Sequence, residues 1–390
     1  MRVRMGRRAL IWLVAAVSLV TAFLGGFELH SRTVSRMEGA GTAQAATIRD
    51  EVLQELRQSY YRPLTPAALR AGNVRGLIRA LHDPYTRYLS PHAYQLVVTS
   101  EQSSYVGVGL ALTRARGGLL VTGALPGLPA AQSGIRAGDV IRQVESRSLA
   151  HLRYRRAVQL LQGPVGRPLA LVIRRRGAPR PVHVTLLREA VDLPIAFSRS
   201  IAFHGRRYEY VNLPGFVHGA GARVREIAEH ATRMRRAGLI LDLRGNVGGL
   251  LDEAVAVADV FQPTGVVVAI HGLHEPSHVY EADNTAVGDL PVVVLVDRST
   301  ASAAEVVAGS LQRARRAVVV GSRSFGKGTV QALHPLAGGG ALKLTVAVFQ
   351  LAGGEQVNRR GIRPDVPVRE DPTSQPDDVL AAALRVLARS

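Results

Sequence analysis

The sequence predicts a multidomain α/β protein carried behind an N-terminal membrane anchor. Three observations predict it. From about residue 189 to 370, apolar strand-like runs alternate with longer helical patterns, as in a core of largely parallel strands. From about 101 to 188 the texture is one of short β runs broken by Gly, Pro and Arg turns. Ahead of both, Arg2, Arg4, Arg7 and Arg8 precede an uncharged run from Ala9 to Phe27.

That run of 19 residues would form a helix about 28 Å long, close to the thickness of a bilayer's hydrocarbon core. Basic residues before it keep the N-terminus in the cytoplasm. The expectation is therefore a single-pass signal-anchor over residues 1–27, with the rest of the chain on the extracytoplasmic side of the cytoplasmic membrane. A cleaved signal peptide is the rival, but no small-residue pattern closes the run directly.

Residues 28–45 are small and polar and read as a linker. Residues 46–100 follow helical spacing: Ile48, Val52, Leu53 and Leu56 mark one helix, Leu77, Ile78 and Leu81 a second, and Asp83-Pro84 stops it. In 101–188, strands are expected at 119–122, 139–141 and 169–173, with a helix over 149–161 between the last two. In 189–370, strands are expected at 208–211, 239–243, 292–296 and 317–320, alternating with helices near 222–236, 250–261 and 302–313. A short amphipathic helix closes the chain within 371–390.

The net charge is +19, a balance that suggests nucleic acid as a partner. The 47 Arg are scattered along the whole chain, however, against only two Lys, Lys327 and Lys343, so no nucleic-acid partner is expected. A Lys among so many Arg is notable because Lys can lose its proton inside a protein and Arg effectively cannot. There is no Cys, which excludes thiol nucleophiles, disulfides and thiolate metal sites. The His residues form no metal pair at helical spacing, and neither a metal nor a cofactor is expected.

Three segments of the α/β region carry chemistry. Asp242-Leu243-Arg244-Gly245-Asn246-Val247-Gly248-Gly249 joins a strand to a helix through glycines that can expose N–H groups to an oxyanion. Ser299-Thr300-Ala301-Ser302-Ala303-Ala304-Glu305 opens a helix, where Ser302 reads either as an N-cap or as a nucleophile among small neighbours. Gly321-Ser322-Arg323-Ser324-Phe325-Gly326-Lys327-Gly328 nearly spells a phosphate-binding loop. It has Gly328 where Ser or Thr would hold Mg²⁺, and a strand pattern follows where a helix is required. With no Gly-x-Ser-x-Gly elbow present, a Ser paired with a desolvated Lys remains. Lys327 would accept the Ser302 proton inside an apolar site to which Phe325 contributes, and Gln331 would orient the amine.

In this order, the motifs resemble those of the carboxyl-terminal processing proteases, tail-specific Ser–Lys peptidases that carry a PDZ domain. Asp83-Pro84-Tyr85-Thr86-Arg87-Tyr88-Leu89-Ser90-Pro91 is similar to the family's segment before the PDZ domain, and Ser133 to Ile141 to the PDZ core. Asp242 to Gly249, Ser299 to Glu305, Phe325 to Gln331 and Gly361-Ile362-Arg363-Pro364-Asp365 are similar to the protease motifs. The resemblance implies a PDZ domain at 101–188 and a Ser–Lys protease core at 189–370. It makes Ser302 the nucleophile, Lys327 the base and Gln331 its orienting residue. The N–H groups of Ala303 and Gly248 would form the oxyanion hole, with Gly249 as the fallback donor. Gly107, Val108, Gly109 and Leu110 would bind the C-terminal carboxylate of protein or peptide substrates with accessible C-termini. Homo-oligomerisation is compatible with the sequence.

Some positions depart from the family pattern. Asp297 stands where Asn is usual, Ala304 where a second Ser is usual, and Gln162 where an Arg is common. Two other readings stay open from sequence: a catalytically silent PDZ scaffold of the same fold, and a P-loop NTPase.

Overall fold

The computed structural model describes residues 42–389 except 101–103, 126, 193, 275 and 370–376. The expected anchor over residues 9–27 lies outside the described residues. Among the described residues no helix is long and apolar enough to cross a membrane. The described residues divide into two compact units, one made of those between 104 and 194 and one combining those between 42 and 100 with those between 195 and 389.

The larger unit opens with helices α1 (Thr42–Ser59), α2 (Pro66–Arg70) and α3 (Val74–Ala80), strand β1 (Arg87–Leu89) and helix α4 (Pro91–Ser100). Helix α1 starts inside the stretch expected to be linker. Asn73 caps α3 by accepting the Gly76 N–H at 2.8 Å.

The smaller unit holds β2 (Ser104–Gly107), β3 (Leu110–Ala115), β4 (Gly118–Ala124), α5 (Pro129–Gln132), β5 (Val140–Val144), β6 (Arg147–Ser148), α6 (Tyr154–Gln159), β7 (Pro168–Arg174), β8 (Val182–Leu187) and β9 (Glu189–Asp192). The sheet order is β3-β4-β5-β7-β8, with β6 on β5 and a separate β2–β9 pair. Leu119, Val121, Ile141, Leu169, Leu171 and Ile173 alternate along three strands to fill its core. The helix expected over 149–161 is shorter, because Arg153 is still extended just before α6.

The larger unit then resumes with β10 (Phe197–Phe203), β11 (Arg206–Asn212), α7 (Ala220–Arg233), β12 (Leu239–Asp242), α8 (Leu251–Asp259), β13 (Val266–His271), β14 (His278–Glu281), β15 (Val292–Val296), α9 (Ala303–Arg313), β16 (Ala317–Gly321), β17 (Thr329–Pro335), β18 (Ala341–Leu351), β19 (Glu355–Gln356), β20 (Val366–Pro367) and α10 (Asp378–Leu387). One sheet runs β10-β11-β12-β15-β16-β20. It is parallel from β11 to β20, with β10 antiparallel at its edge. Because helices cover both faces, its strands are apolar on both. Leu239, Leu241, Val292 and Val294 pack under α7, α8 and α9. Ile240, Val293 and Leu295 pack under α10.

A second sheet was not expected. It runs β1-β18-β13-β14, with β17 and β19 also on β18, and its pairs are antiparallel. A bulge between Val330 and Gln331 sets one extra β18 residue against β17. Leu342, Leu344, Val346 and Ala347 therefore share one face and bury Val52, Leu56 and Leu77 of the helical segment. Residues 46–100 are thus built into the same unit as the α/β core.

Candidate active site

Three loops follow the C-terminal ends of β12, β15 and β16, which are neighbours in the parallel sheet. Parallel alignment brings such loops to one edge, where α/β proteins place their sites. The three chemistry-bearing motifs are these three loops.

The first two are tied by Asp297 and Asn246. The Asp297 carboxylate accepts the N–H groups of Gly245 (3.1 Å), Ser299 (2.9 Å) and Thr300 (2.9 Å). The acidic residue in place of the usual Asn is therefore an anchor between loops. Asn246 is fully buried; its Nδ2 donates to Leu213 O (2.8 Å) and its backbone carbonyl accepts the Ala301 N–H (2.9 Å). Asp242 and Arg244 are structural. Arg244 bridges Asp242 (2.6 Å) and Asp377 (2.9 Å), the N-cap of α10, so the glycine loop is held to the C-terminal helix. Burial alone would push the Asp377 carboxyl up, but the Arg244 guanidinium holds it below its usual range.

Ser302 sits at the entry to α9 with φ 58° and ψ −122°. A positive φ on a residue with a Cβ is strained, on the order of 1–3 kcal/mol, and such strain gathers at functional positions. Gly248 makes room for it, since a Cβ there would lie 2.9 Å from Ser302 Cβ and 3.1 Å from Ala303 N. The Ala303 N–H belongs to the first turn of α9, where N–H groups lack an intrahelical acceptor.

Gly248 itself is a correction to the expected oxyanion hole. Its N–H donates to Asn246 Oδ1 at 2.8 Å, so it is not turned to a substrate. Gly249 forms a parallel bridge with Phe216 in which Gly248 O and the Leu250 N–H make the hydrogen bonds. That pattern points the Gly249 N–H away from Phe216.

The third loop joins the second at Glu305. This carboxylate is fully buried and accepts four hydrogen bonds. Oε2 accepts the N–H groups of Ser302 (2.8 Å) and Lys327 (2.8 Å). Oε1 accepts the Gly326 N–H (2.7 Å) and the Ser324 hydroxyl (2.5 Å). Burial pushes the Glu305 carboxyl above its usual range, a shift the four donors offset only in part. Glu305 was quoted in the motif but not singled out as a site residue.

Lys327 has its pKa pushed down to about 7, first by burial and then by the positive charges of Lys343 and Arg87. The carboxylates of Glu305 and Asp83 oppose this. The aromatic group at the amine is Tyr85, whose ring centroid lies 5.4 Å from Nζ. Phe325, expected to help bury Lys327, is instead 55% exposed. Asp83 fixes the Tyr85 turn by accepting the Tyr85 N–H (2.9 Å) and the Thr86 hydroxyl (2.7 Å). Gln331, expected to orient Lys327, donates from Nε2 to Thr329 Oγ1 at 2.8 Å.

The glycines of this loop are explained by packing rather than by phosphate. A Cβ on Gly328 would lie 2.4 Å from Asn358 N. The following segment is strand β17 and not a helix. Among the described residues, no cluster of metal-ligating side chains is present.

Comparison with known proteins gives the family. The family model described as Peptidase family S41 matches residues 207–368, and the PDZ domain model matches residues 95–174. The chain is 33% identical to the C-terminal processing peptidase, chloroplastic, of Tetradesmus obliquus over 85% of this chain and 75% of that protein. It is 28% identical to the carboxy-terminal-processing protease of Bartonella bacilliformis over 93% and 83%. Among solved structures, it is similar to a photosystem II D1 C-terminal processing protease, with a TM-score of 0.52 and 29% identity over 95% of this chain and 97% of that one. The fold and motifs define a PDZ-bearing, serine-type peptidase of family S41. Within that class, the chain belongs to the carboxyl-terminal-processing proteases.

Gly328→Ser would complete the phosphate-loop pattern in sequence while driving a side chain into Asn358. Peptidase activity should fall at least tenfold and the melting temperature should drop, with no ATP binding gained by calorimetry. ATP binding by this variant would contradict the packing account.

Proposed function

We propose that the protein cleaves substrates near their C-termini by a Ser302–Lys327 mechanism, with its PDZ unit binding the substrate tail. The observation that carries this reading is the sharing of one carboxylate oxygen, Glu305 Oε2, by the N–H groups of Ser302 and Lys327. A buried anion thus fixes the backbone of a strained Ser beside that of a Lys whose amine titrates near 7.

In the mechanism, neutral Lys327 Nζ takes the Ser302 hydroxyl proton as Oγ attacks the scissile carbonyl. The oxyanion is held by the Ala303 N–H and, with the Gly248 N–H committed to Asn246, by that of Gly249. The Lys327 ammonium then gives its proton to the leaving amine. Water enters and loses a proton to Lys327 as it attacks the acyl carbonyl; the ester bond to Ser302 Oγ then breaks, and Lys327 passes that proton to Oγ, which restores both groups. Gln331 spends Nε2 on Thr329, which leaves Oε1 to accept a hydrogen bond from the amine.

For tail binding, the support lies in the loop from Gly107 to Leu110. The carbonyls of Val108 and Gly109 are engaged inside the module by the N–H groups of Ala130 (3.0 Å) and Leu125 (2.9 Å). This is the polarity a carboxylate-binding loop needs. The strand after it, β3, is an edge strand to which a peptide can add. The extracytoplasmic location rests on sequence alone, on the uncharged run behind four Arg.

Lys327→Arg keeps a positive charge but offers no base near neutral pH, so activity should fall to background in protein that remains folded. In the unsubstituted enzyme, kcat/KM should rise with pH and reach half its plateau near the Lys327 pKa of about 7. Near-normal hydrolysis by folded Lys327→Arg would overturn the assignment.

A model substrate with a free C-terminus should be cut at least tenfold faster than its C-terminal amide. Equal rates would remove the tail-binding role from Gly107 to Leu110.

Full-length chain should stay with carbonate-washed membranes. A soluble product beginning near Glu28 or Thr47 would establish cleavage instead.

A further inference from the structure

The sequence holds only two lysines among 47 arginines, and the fold brings both to one place. Strand register sets Arg87 directly opposite Lys343, Lys343 opposite Leu333, and Thr345 opposite Gln331. Directly opposed residues point to the same face of an antiparallel pair, and alternate residues along a strand share that face. Arg87, Lys343, Thr345 and Gln331 therefore form one face. The opposite face is the one made by Leu342, Leu344 and Val346, which is buried under the helical segment. The Lys327 amine lies 5.4 Å from the Tyr85 ring centroid, and Tyr85 stands two residues before Arg87, the residue paired with Lys343.

Two cations directly opposite one another destabilise a sheet. Here both charges act on the Lys327 amine, which must be neutral to serve as a base. We infer that Lys343, with Arg87 across from it, adds like-charge repulsion to burial in disfavouring the Lys327 ammonium, and so helps set the pH at which the enzyme turns on. The inference rests on the Ser302–Lys327 reading. Lys343 is a tuning residue that acts through Lys327.

The charged and aromatic groups facing Lys327 divide into two sets. Lys343 on β18 and Arg87 on β1 disfavour the ammonium. Glu305 in α9 and Asp83 in the turn before β1 favour it, as does the face of the Tyr85 ring. Burial acts with the first set. Glu305 is committed to holding the two loops, so it cannot be spared to lower the opposing charge. The repulsive pair offsets an anion that the architecture requires.

The sign of the test follows directly. Removing one cation makes the ammonium less costly, so Lys327 loses its proton only at higher pH. In pH profiles of kcat/KM for the full chain, Lys343→Gln should move the acidic limb upward by about half a unit or more. The plateau at high pH should stay within about twofold of the unsubstituted enzyme. Lys343→Arg keeps the charge and should superimpose on that enzyme's profile.

An unmoved limb in folded Lys343→Gln would overturn the inference, as would an equal loss of activity at every pH. If Lys343→Gln does not fold, Arg87→Gln takes its place, with the same upward shift expected and an unmoved limb overturning the inference. Full activity in Lys327→Arg would instead overturn the Ser–Lys reading and this inference with it, so the two failures are distinguishable.

Discussion

The buried Glu305 carboxylate is the constraint on which the site depends. It lies in the first turn of α9, where an anion is favoured by the helix's N-terminal N–H groups. It takes four donors from two loops that follow neighbouring parallel strands. Ser324 passes the connection on, since its hydroxyl also accepts the Ile362 N–H at 2.6 Å. Removing the anion would leave these N–H groups buried without an acceptor, each costing about 1–3 kcal/mol. The nucleophile's strained backbone and the lysine loop are thus maintained by the same group.

That solution creates an electrostatic problem. An anion beside Lys327 favours the ammonium, and a general base needs the free amine. Bringing the Lys327 pKa from 10.5 to about 7 amounts to a bias of about 5 kcal/mol against the charged form. Burial supplies the largest part, and the cations on the second sheet add to it. The helical segment contributes Asp83, Tyr85 and Arg87 to the lysine's surroundings, although the peptidase family match begins only at residue 207. Its stitching to β18, where Thr345 N donates to Thr86 Oγ1 at 3.1 Å, explains how residues so distant in sequence stay in place.

Much of this was legible in the sequence where the pattern is local. The strand Val292–Val296 is a run of five buried apolar residues, and small residues around Ser302 mark a helix entry that leaves space for a substrate. The glycine loops announced turns that can expose N–H groups, but not the close backbone packing that Gly328 makes against Asn358. The second sheet was harder to read. The bulge near Val330 puts Val346 and Ala347 on one face, which breaks the strict alternation by which β18 would be recognised. The helical segment read as separate because its partners, Leu342 to Val346, lie more than two hundred residues away. Glu305 carried no signal of its own, since an acidic residue in a first helical turn is ordinary. Gly248 looked like a donor because sequence cannot show that Asn246 accepts its N–H.

The central claim is that Lys327 is a neutral base at working pH, and it can be read without assaying activity. Because Lys327 and Lys343 are the only lysines, lysine-selective ¹³C labelling of the full chain gives two ε-methylene signals, and Lys343→Arg assigns them by removing one. Titrated by NMR, the Lys327 signal should report a pKa of about 7. A Lys327 signal that titrates near the ordinary value of roughly 10.4 would contradict the account.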